Sequence, residues 1–420
     1  MRILIIAPGS QGDVQPYVAL GRGLKNAGHV IRFVTHRNFE KLVTSHGLEF
    51  WSVDSNVQGI VENNDMRDRI EKGNFLFLMV QMAKEAQHEA IQFAEIGLVA
   101  GQGMELIMAG MGGVFIGIAI AEKLGLPLLQ AYVVPFTPTM HFPSVLTPKI
   151  PTTFNLLSHQ LARQMLWMGF RSADTLARRK ALRLPAAPLS GPYRSKTLSG
   201  MPILYGFSPS IIPPPSDWGR DVHVTGYWFS RETDDWIPPS GLLDFLQSGT
   251  PPIYVGFGSM SNRNPEETTD LVIQALKQTS QRAVLLSGWS GLIKSQLPES
   301  VYMIDSIPHS WLFPRVVAVI HHGGASTTAA GLRAGVPSVT IPFFGDQPFW
   351  GQRMAELGVG TNPIPRTKLT ATRLASAIQQ AVTDKRMQAR ATSLGARIQT
   401  EDGIARAAEV IQQIEKSRIY

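Results

Sequence analysis

Short apolar runs alternate with longer amphipathic ones through most of the chain. Residues 2–7 are almost wholly apolar, as a strand covered on both faces must be. Pro8 to Asp13 interrupts them with proline, glycines and polar side chains. Apolar positions then recur at helical spacing over about 15–27, where Gly28 stops them. Residues 31–35 and 49–53 predict strands, with a short helix near 39–45 between them. Residues 106–109 and 128–134 predict two more, separated by a helix over 114–124. Such βαβ alternation predicts a parallel sheet with helices on both faces.

The rhythm breaks at 211–241, where Pro213-Pro214-Pro215 and Pro238-Pro239 rule out a helix. It resumes with strands at 253–256, 283–286, 301–304, 316–321 and 338–341 and helices at 266–279, 327–334 and 404–416. The expected fold is therefore α/β: two Rossmann-like domains whose parallel sheets face a central cleft. The expected boundaries are 1–212 for the first domain, 213–240 for a Pro-rich linker, 241–400 for the second domain, and 401–420 for a terminal helix that packs back on the first.

Composition agrees with that division. At 420 residues the chain has the length of two domains, and its 44% hydrophobic and 17% charged residues suit two buried cores and argue against disorder. The absence of cysteine excludes disulfides, thiolate chemistry and cysteine-based zinc sites, and points to a reducing cytoplasm. Pro8 and Gly9 cut the opening apolar run too early for an export signal, and the longest apolar run, 106–121, is glycine-broken and short for a membrane span. The net charge of +7 is concentrated in 149–196, where nine Lys/Arg face a single acid, Asp174. Two readings stand there. Arg178, Arg179 and Lys180 could attract anionic membrane while Trp167 and Phe170 enter the interface; or an amphipathic helix pair simply packs on its own domain.

Candidate chemistry lies at the ends of predicted strands. Gly110-Met111-Gly112-Gly113 follows a strand, but the sixth position is Phe115 and no acid follows at the ribose distance, so no nicotinamide or flavin site is expected. The glycines instead serve close strand–helix packing. In His321-His322-Gly323-Gly324-Ala325-Ser326-Thr327-Thr328, a strand ends in two histidines, small residues follow, and a helix opens with hydroxyls. A diphosphate at that helix N-terminus and a tight turn capped by Ser326 fit the residues equally. Adjacent strand residues point to opposite faces and no Asp-x-Asp occurs, so no metal is expected. Asp346-Gln347 after the last strand offers hydrogen bonds to sugar hydroxyls, or forms a solvated turn. Asp13 either complements the dipole of its helix or acts as a general base.

Three stretches resemble the family 1 glycosyltransferases with two Rossmann-like domains (the GT-B fold), most of all their sterol glucosyltransferase group. These are Gly9-Ser10-Gln11-Gly12-Asp13-Val14-Gln15-Pro16, Val255-Gly256-Phe257-Gly258-Ser259-Met260, and Ile307-Pro308-His309-Ser310-Trp311-Leu312-Phe313 running on through His321-His322-Gly323-Gly324 to Asp346-Gln347-Pro348. The resemblance implies that His321 contacts the donor diphosphate, with Gly323, Gly324, Ser326 and Thr327 around it. It implies that Ile307 and His309 form the base-binding edge, that Asp346 and Gln347 hold the sugar, and that Ser10, Gly12, Gly258 and Ser259 lie in loops near the phosphates. Asp13 takes the place where plant-type members carry a catalytic histidine. Their supporting aspartate near position 110 has no counterpart in Ala109-Gly110-Met111, and their ribose-binding glutamate is replaced by Ala329.

On this resemblance the chain is an inverting, metal-independent transferase that moves glucose from UDP-glucose to a lipophilic hydroxyl. It needs no cofactor and binds no nucleic acid. The acceptor would lie against Phe75, Phe77, Met79, Val134, Phe136 and Trp167. A sterol-type alcohol is the first choice. A macrolide, glycopeptide, carotenoid or flavonoid acceptor, a dTDP-sugar donor, and a nucleotide-sugar 2-epimerase of the same fold are the alternatives. A cytoplasmic protein with peripheral contact to anionic membrane is expected.

Overall fold

The computed structural model describes residues 1–54, 75–147, 150–229, 236–258, 265–287 and 297–417, which divide into two compact units. In the first, β1 (Arg2–Ile6), β2 (Val30–His36), β3 (Glu49–Val53), β4 (Leu106–Ala109), β5 (Leu128–Tyr132), β6 (Ile203–Tyr205) and β7 (Val222–Val224) form one sheet in the order β3-β2-β1-β4-β5-β6-β7. Every pairing is parallel. Ile3 to Ile6 and Leu106 to Ala109 are wholly buried, which is why these strands read as unbroken apolar runs. The helices here are α1 (Gln11–Asn26), α2 (Glu40–Ser45), α3 (Phe75–Ala100), α4 (Val114–Leu124) and α5 (Asn155–Leu176).

Two expectations change. Helix α1 begins four residues before position 15, because Ser10 occupies its N-cap and Asp13 reaches back to the Ser10 amide. The Pro-rich stretch 213–240 is not all connector: Val222–Val224 pair with β6 as the last strand, and Trp218, Tyr227 and Trp228 are buried. Proline forbids a helix but tolerates a short strand at a sheet edge.

In the second unit β8 (Ile253–Gly256), β9 (Ala283–Leu286), β10 (Val301–Ile304), β11 (Ala318–His321) and β12 (Ser338–Thr340) form a parallel sheet in the order β10-β9-β8-β11-β12. Around it lie α6 (Ser240–Gln247), α7 (Pro265–Gln278), α8 (His309–Leu312), α9 (Ala325–Ala334), α10 (Gln347–Glu356), α11 (Ala371–Thr383) and α12 (Lys385–Gln399). The last helix, α13 (Gly403–Ser417), belongs to the first unit. Its Ala407, Ala408, Ile411 and Ile414 share a core with Ile3, Ile5, Val18 and Leu20.

Each sheet reverses its winding once, between β1 and β4 and between β8 and β11. Strand carboxyl ends at such a reversal leave a crevice where α/β proteins bind ligands.

Candidate active site

At the first reversal Ile6 pairs with Ala109, so the loops after β1 and β4 lie side by side. A Cβ on Gly112 would stand 2.7 Å from the Pro8 carbonyl oxygen, and one on Gly113 2.6 Å from that of Ile6. These glycines therefore serve packing. A Cβ on Gly110 would overlap the Tyr17 hydroxyl, which donates to the Ala131 carbonyl at 2.6 Å. A second carboxylate at 110 has no room, and Asp13 stands without one.

Asp13 is held tightly. Its Oδ2 accepts from the Ser10 amide at 2.9 Å and from Ser10 Oγ at 2.8 Å. Ser10, expected near the donor phosphates, thus orients the carboxylate. Gly9 has φ 136°, and a Cβ there would lie 2.7 Å from Asp13 Oδ2, so the loop accepts only glycine. Asp13 faces solvent, yet the surrounding protein excludes enough water to raise its pKa, against the two Ser10 hydrogen bonds.

Two residues not singled out in the sequence support this loop. His36 ends β2 and its Nε2 accepts the Gly9 amide at 3.2 Å; its Nδ1 lies 4.0 Å from Glu89 Oε2. Burial lowers its pKa to about 4, so the ring is neutral at physiological pH, with Nε2 as acceptor and the proton on Nδ1 toward Glu89. A histidine closing a strand is visible in the sequence; its partner on α3 is not, because no periodic signal marked that helix. His36→Leu should leave the Gly9 amide unsatisfied and lower kcat about tenfold with little change in KM for the donor, the order of one lost buried hydrogen bond. His36→Gln, which can still accept from Gly9, should recover most of it. Steady-state kinetics of both variants checks this; equal loss in both would reduce His36 to packing.

At the second reversal His321 pairs with Gly256, which brings the loop after β8 beside His322 and Gly323. Gly258 has φ 62°, and a Cβ there would lie 2.8 Å from His322 Cε1. Ser259 lies outside the described residues. His321 is fully buried and its Nδ1 accepts the Gly323 amide at 3.1 Å. Desolvation first, then His322 and His309, push its pKa well down, so the ring is neutral and carries its proton on Nε2. His321 Nε2, His322 Nδ1 and Thr328 Oγ1 are all buried without a hydrogen-bond partner among the described residues. Buried polar groups are rarely left so. They cluster at the start of α9, whose N-cap is Gly324, not Ser326. Ser326 and Thr327 therefore stand in the first helical turn, beside its outward-facing amides.

The Asp346-Gln347 turn touches this loop. A Cβ on Gly323 (φ 91°) would lie 2.9 Å from the Gln347 carbonyl oxygen. Trp350 Nε1 donates to Asp346 Oδ2 at 2.9 Å. Gln347 Oε1 accepts the amides of Phe343 and Phe344 at 2.8 and 3.3 Å, so any bond it gives a ligand comes from its amide N–H. His309 stacks on Phe313 with ring centroids 4.4 Å apart and bonds the Tyr254 hydroxyl at 3.1 Å. The Ile307 side chain packs with Tyr254, Leu312 and Phe313, which leaves its backbone as the edge it can offer. Burial brings His309 and His322 down to about 4.

The expected acceptor residues divide. The side chains of Phe75, Phe77 and Met79 lie outside the described residues. Val134 and Phe136 are nearly buried. Trp167 is wholly buried, edge-on to Phe115 and bonded to the Leu189 carbonyl at 3.0 Å, so it packs the core and has no surface for an acceptor or a membrane. Phe170 also packs toward Phe115. Arg178 is buried too: its Nε meets both Asp174 oxygens at 3.0 and 2.9 Å and its Nη1 meets Glu122 at 2.6 Å. Its charge is spent inside the domain.

Two family models match the chain, the glycosyltransferase family 28 N-terminal domain over residues 3–143 and the erythromycin biosynthesis protein CIII-like C-terminal domain over 283–416. Two sterol 3-beta-glucosyltransferases of Arabidopsis thaliana are 35% and 33% identical to it; they align with 97% and 98% of this chain and with 64% and 68% of their own lengths. One of Cryptococcus neoformans is 35% identical over 98% of this chain, which spans 27% of that protein. Among solved structures, the calicheamicin glycosyltransferase superposes with a TM-score of 0.70 at 19% identity, covering 98% of this chain and 97% of its own. A Streptomyces glycosyltransferase complexed with thymidine diphosphate gives 0.65 at 19%, covering 98% and 99%. These neighbours establish the GT-B fold.

Proposed function

The chain belongs to the sterol 3-beta-glucosyltransferase family, and on that footing we propose that it transfers glucose from UDP-glucose to the hydroxyl of a sterol-type alcohol, with inversion. The observation that carries the donor half is the unmet hydrogen-bonding capacity of His321, His322 and Thr328 at the N-terminus of α9, in contact with the Asp346-Gln347 turn. A helix N-terminus and a neutral imidazole N–H suit a diphosphate. The hydrogen-bonding pair beside them suits the attached sugar.

The other half is Asp13. It takes the acceptor proton as the acceptor oxygen bonds to the anomeric carbon from the face opposite the diphosphate. The bond from that carbon to the diphosphate breaks in the same step, and UDP leaves with the electron pair. An alcohol is too weak an acid to ionise first, so proton transfer and attack are concerted. The leaving charge is met by His321 and the first turn of α9. Because desolvation raises the pKa of Asp13 and only its ionised form is a base, kcat/KM should fall on the acid side at a higher pH than an ordinary aspartate would give.

The test is incubation with UDP-glucose and a panel of acceptors, read by mass spectrometry. A sterol bearing one added hexose is the expected product. Conversion of UDP-glucose without acceptor would indicate an epimerase, and transfer only to non-sterol acceptors would move the substrate class. Activity is expected to survive exhaustive EDTA treatment, since the chain has no Asp-x-Asp and its described residues hold no cluster of three metal-ligating side chains. Recovery only on adding Mg²⁺ or Mn²⁺ would refute that. A bilayer-resident acceptor further requires peripheral membrane contact; no described helix is long and apolar enough to cross a membrane.

A further inference from the structure

Helix α5 carries a stripe at spacings of four or three: positions 157, 161, 165, 168, 172 and 175. This spacing keeps side chains on one face of an α-helix. Its first four members are apolar and open to solvent, with Leu157 45%, Leu161 50%, Met165 45% and Met168 51% exposed. Phe154, just before the helix, and Leu189, whose carbonyl is bonded by Gln164 and Trp167 of the same helix, extend the patch. Single exposed apolar residues are ordinary on a protein surface, but a contiguous stripe of this kind marks a contact.

The last two members of the stripe, Ser172 and Thr175, line a pocket of about 410 Å³ with Gln87, Arg171, Arg179 and Lys180. Among the described residues the lining has three cations and no carboxylate. The Arg171 Nε is buried without a hydrogen-bond partner among the described residues. The neighbouring Arg178 is neutralised by Asp174 and Glu122, so the pocket's own charges stay available.

The geometry points to a lipid-docking face on α5: the apolar stripe enters the outer layer of a bilayer, and the pocket at its end takes the phosphate of one anionic phospholipid. Charge complementarity selects this occupant. A protein partner for the stripe would not need three cations and two hydroxyls gathered at its end, whereas a phosphate beside acyl chains matches that combination of positive charge and apolar surface. The inference deepens the peripheral-membrane part of the function proposed above and is independent of the transfer chemistry.

Sedimentation with vesicles separates the outcomes. The protein should pellet with phosphatidylcholine vesicles containing phosphatidylserine at low salt, roughly tenfold or more over phosphatidylcholine alone. Joint replacement of Arg171, Arg179 and Lys180 by Gln should remove most of that preference. Leu161→Ser with Met168→Ser should lower binding to both vesicle types. Thermal melting of each variant confirms that it is folded. If the triple variant pellets like wild type, the headgroup pocket is wrong while membrane contact stands. If wild type stays in the supernatant with anionic vesicles, both fall. If inorganic phosphate binds the pocket by calorimetry but vesicles do not, the site serves a soluble anion and the lipid assignment is overturned. None of these readouts depends on sterol glucosylation, which the product mass tests separately.

Discussion

Asp13→Asn will keep UDP-glucose affinity and lose about 10²- to 10⁴-fold in turnover, the span reported for a missing general base. The substitution removes basicity and little else. An asparagine oxygen can still accept from the Ser10 amide and hydroxyl, which now bond Asp13 at 2.9 and 2.8 Å, so the first turn of α1 should hold. No second carboxylate can substitute at position 110, where Tyr17 fills the space. Stopped assays with product quantified by mass spectrometry, alongside calorimetry with UDP-glucose, give both quantities. Near-normal turnover in this variant would remove Asp13 from the mechanism.

His321→Ala and Asp346→Ala should fail differently. The imidazole is assigned to the diphosphate, so its loss should weaken UDP and UDP-glucose alike. A hydrogen bond to a charged group contributes about 1.5–3 kcal/mol, which is roughly ten- to more than a hundredfold in affinity. The His321 loss should sit at the upper end, because its Nδ1 also anchors the Gly323 amide. Asp346 is assigned to the sugar, so its loss should weaken UDP-glucose by a similar factor and leave UDP nearly unchanged. Trp350→Phe removes the indole that steadies Asp346 and should reproduce that selectivity in milder form. Calorimetry with both ligands decides; equal loss of UDP affinity in His321→Ala and Asp346→Ala would mean the donor is placed wrongly.

The two sheets were legible because strands buried on both faces write continuous apolar runs, and Ile3 to Ile6 could hardly be anything else. The loops at the reversals were legible because tight turns after strands demand small residues. The strands Ile203–Tyr205 and Val222–Val224 are hidden, since runs of three residues leave no periodicity to detect. Helix α3 was missed as well, and with it Glu89. The surface of α5 was misassigned for a different reason. Composition showed that 149–196 is basic and aromatic, but burial depends on helix phase. Trp167 and Arg178 point inward while Met168 and Arg179, one residue on, point out. Hydrogen-bond partners such as His36 for Gly9 or Trp350 for Asp346 depend on which strand or turn lies alongside, and no spacing rule carries that information.

The chain leaves the first unit after residue 230 and re-enters it at 401. Within the first unit the backbone before and after that excursion closes on itself: a Cβ on Gly226 would stand 3.2 Å from the Gly403 Cα. The amino terminus is itself tied to the returning helix, its ammonium 2.9 Å from Glu415. The first unit therefore completes its core only with a segment from the far end of the chain: cutting the chain back to residue 400 would strip Ala407, Ile411 and Ile414 from Ile5, Val18 and Leu20.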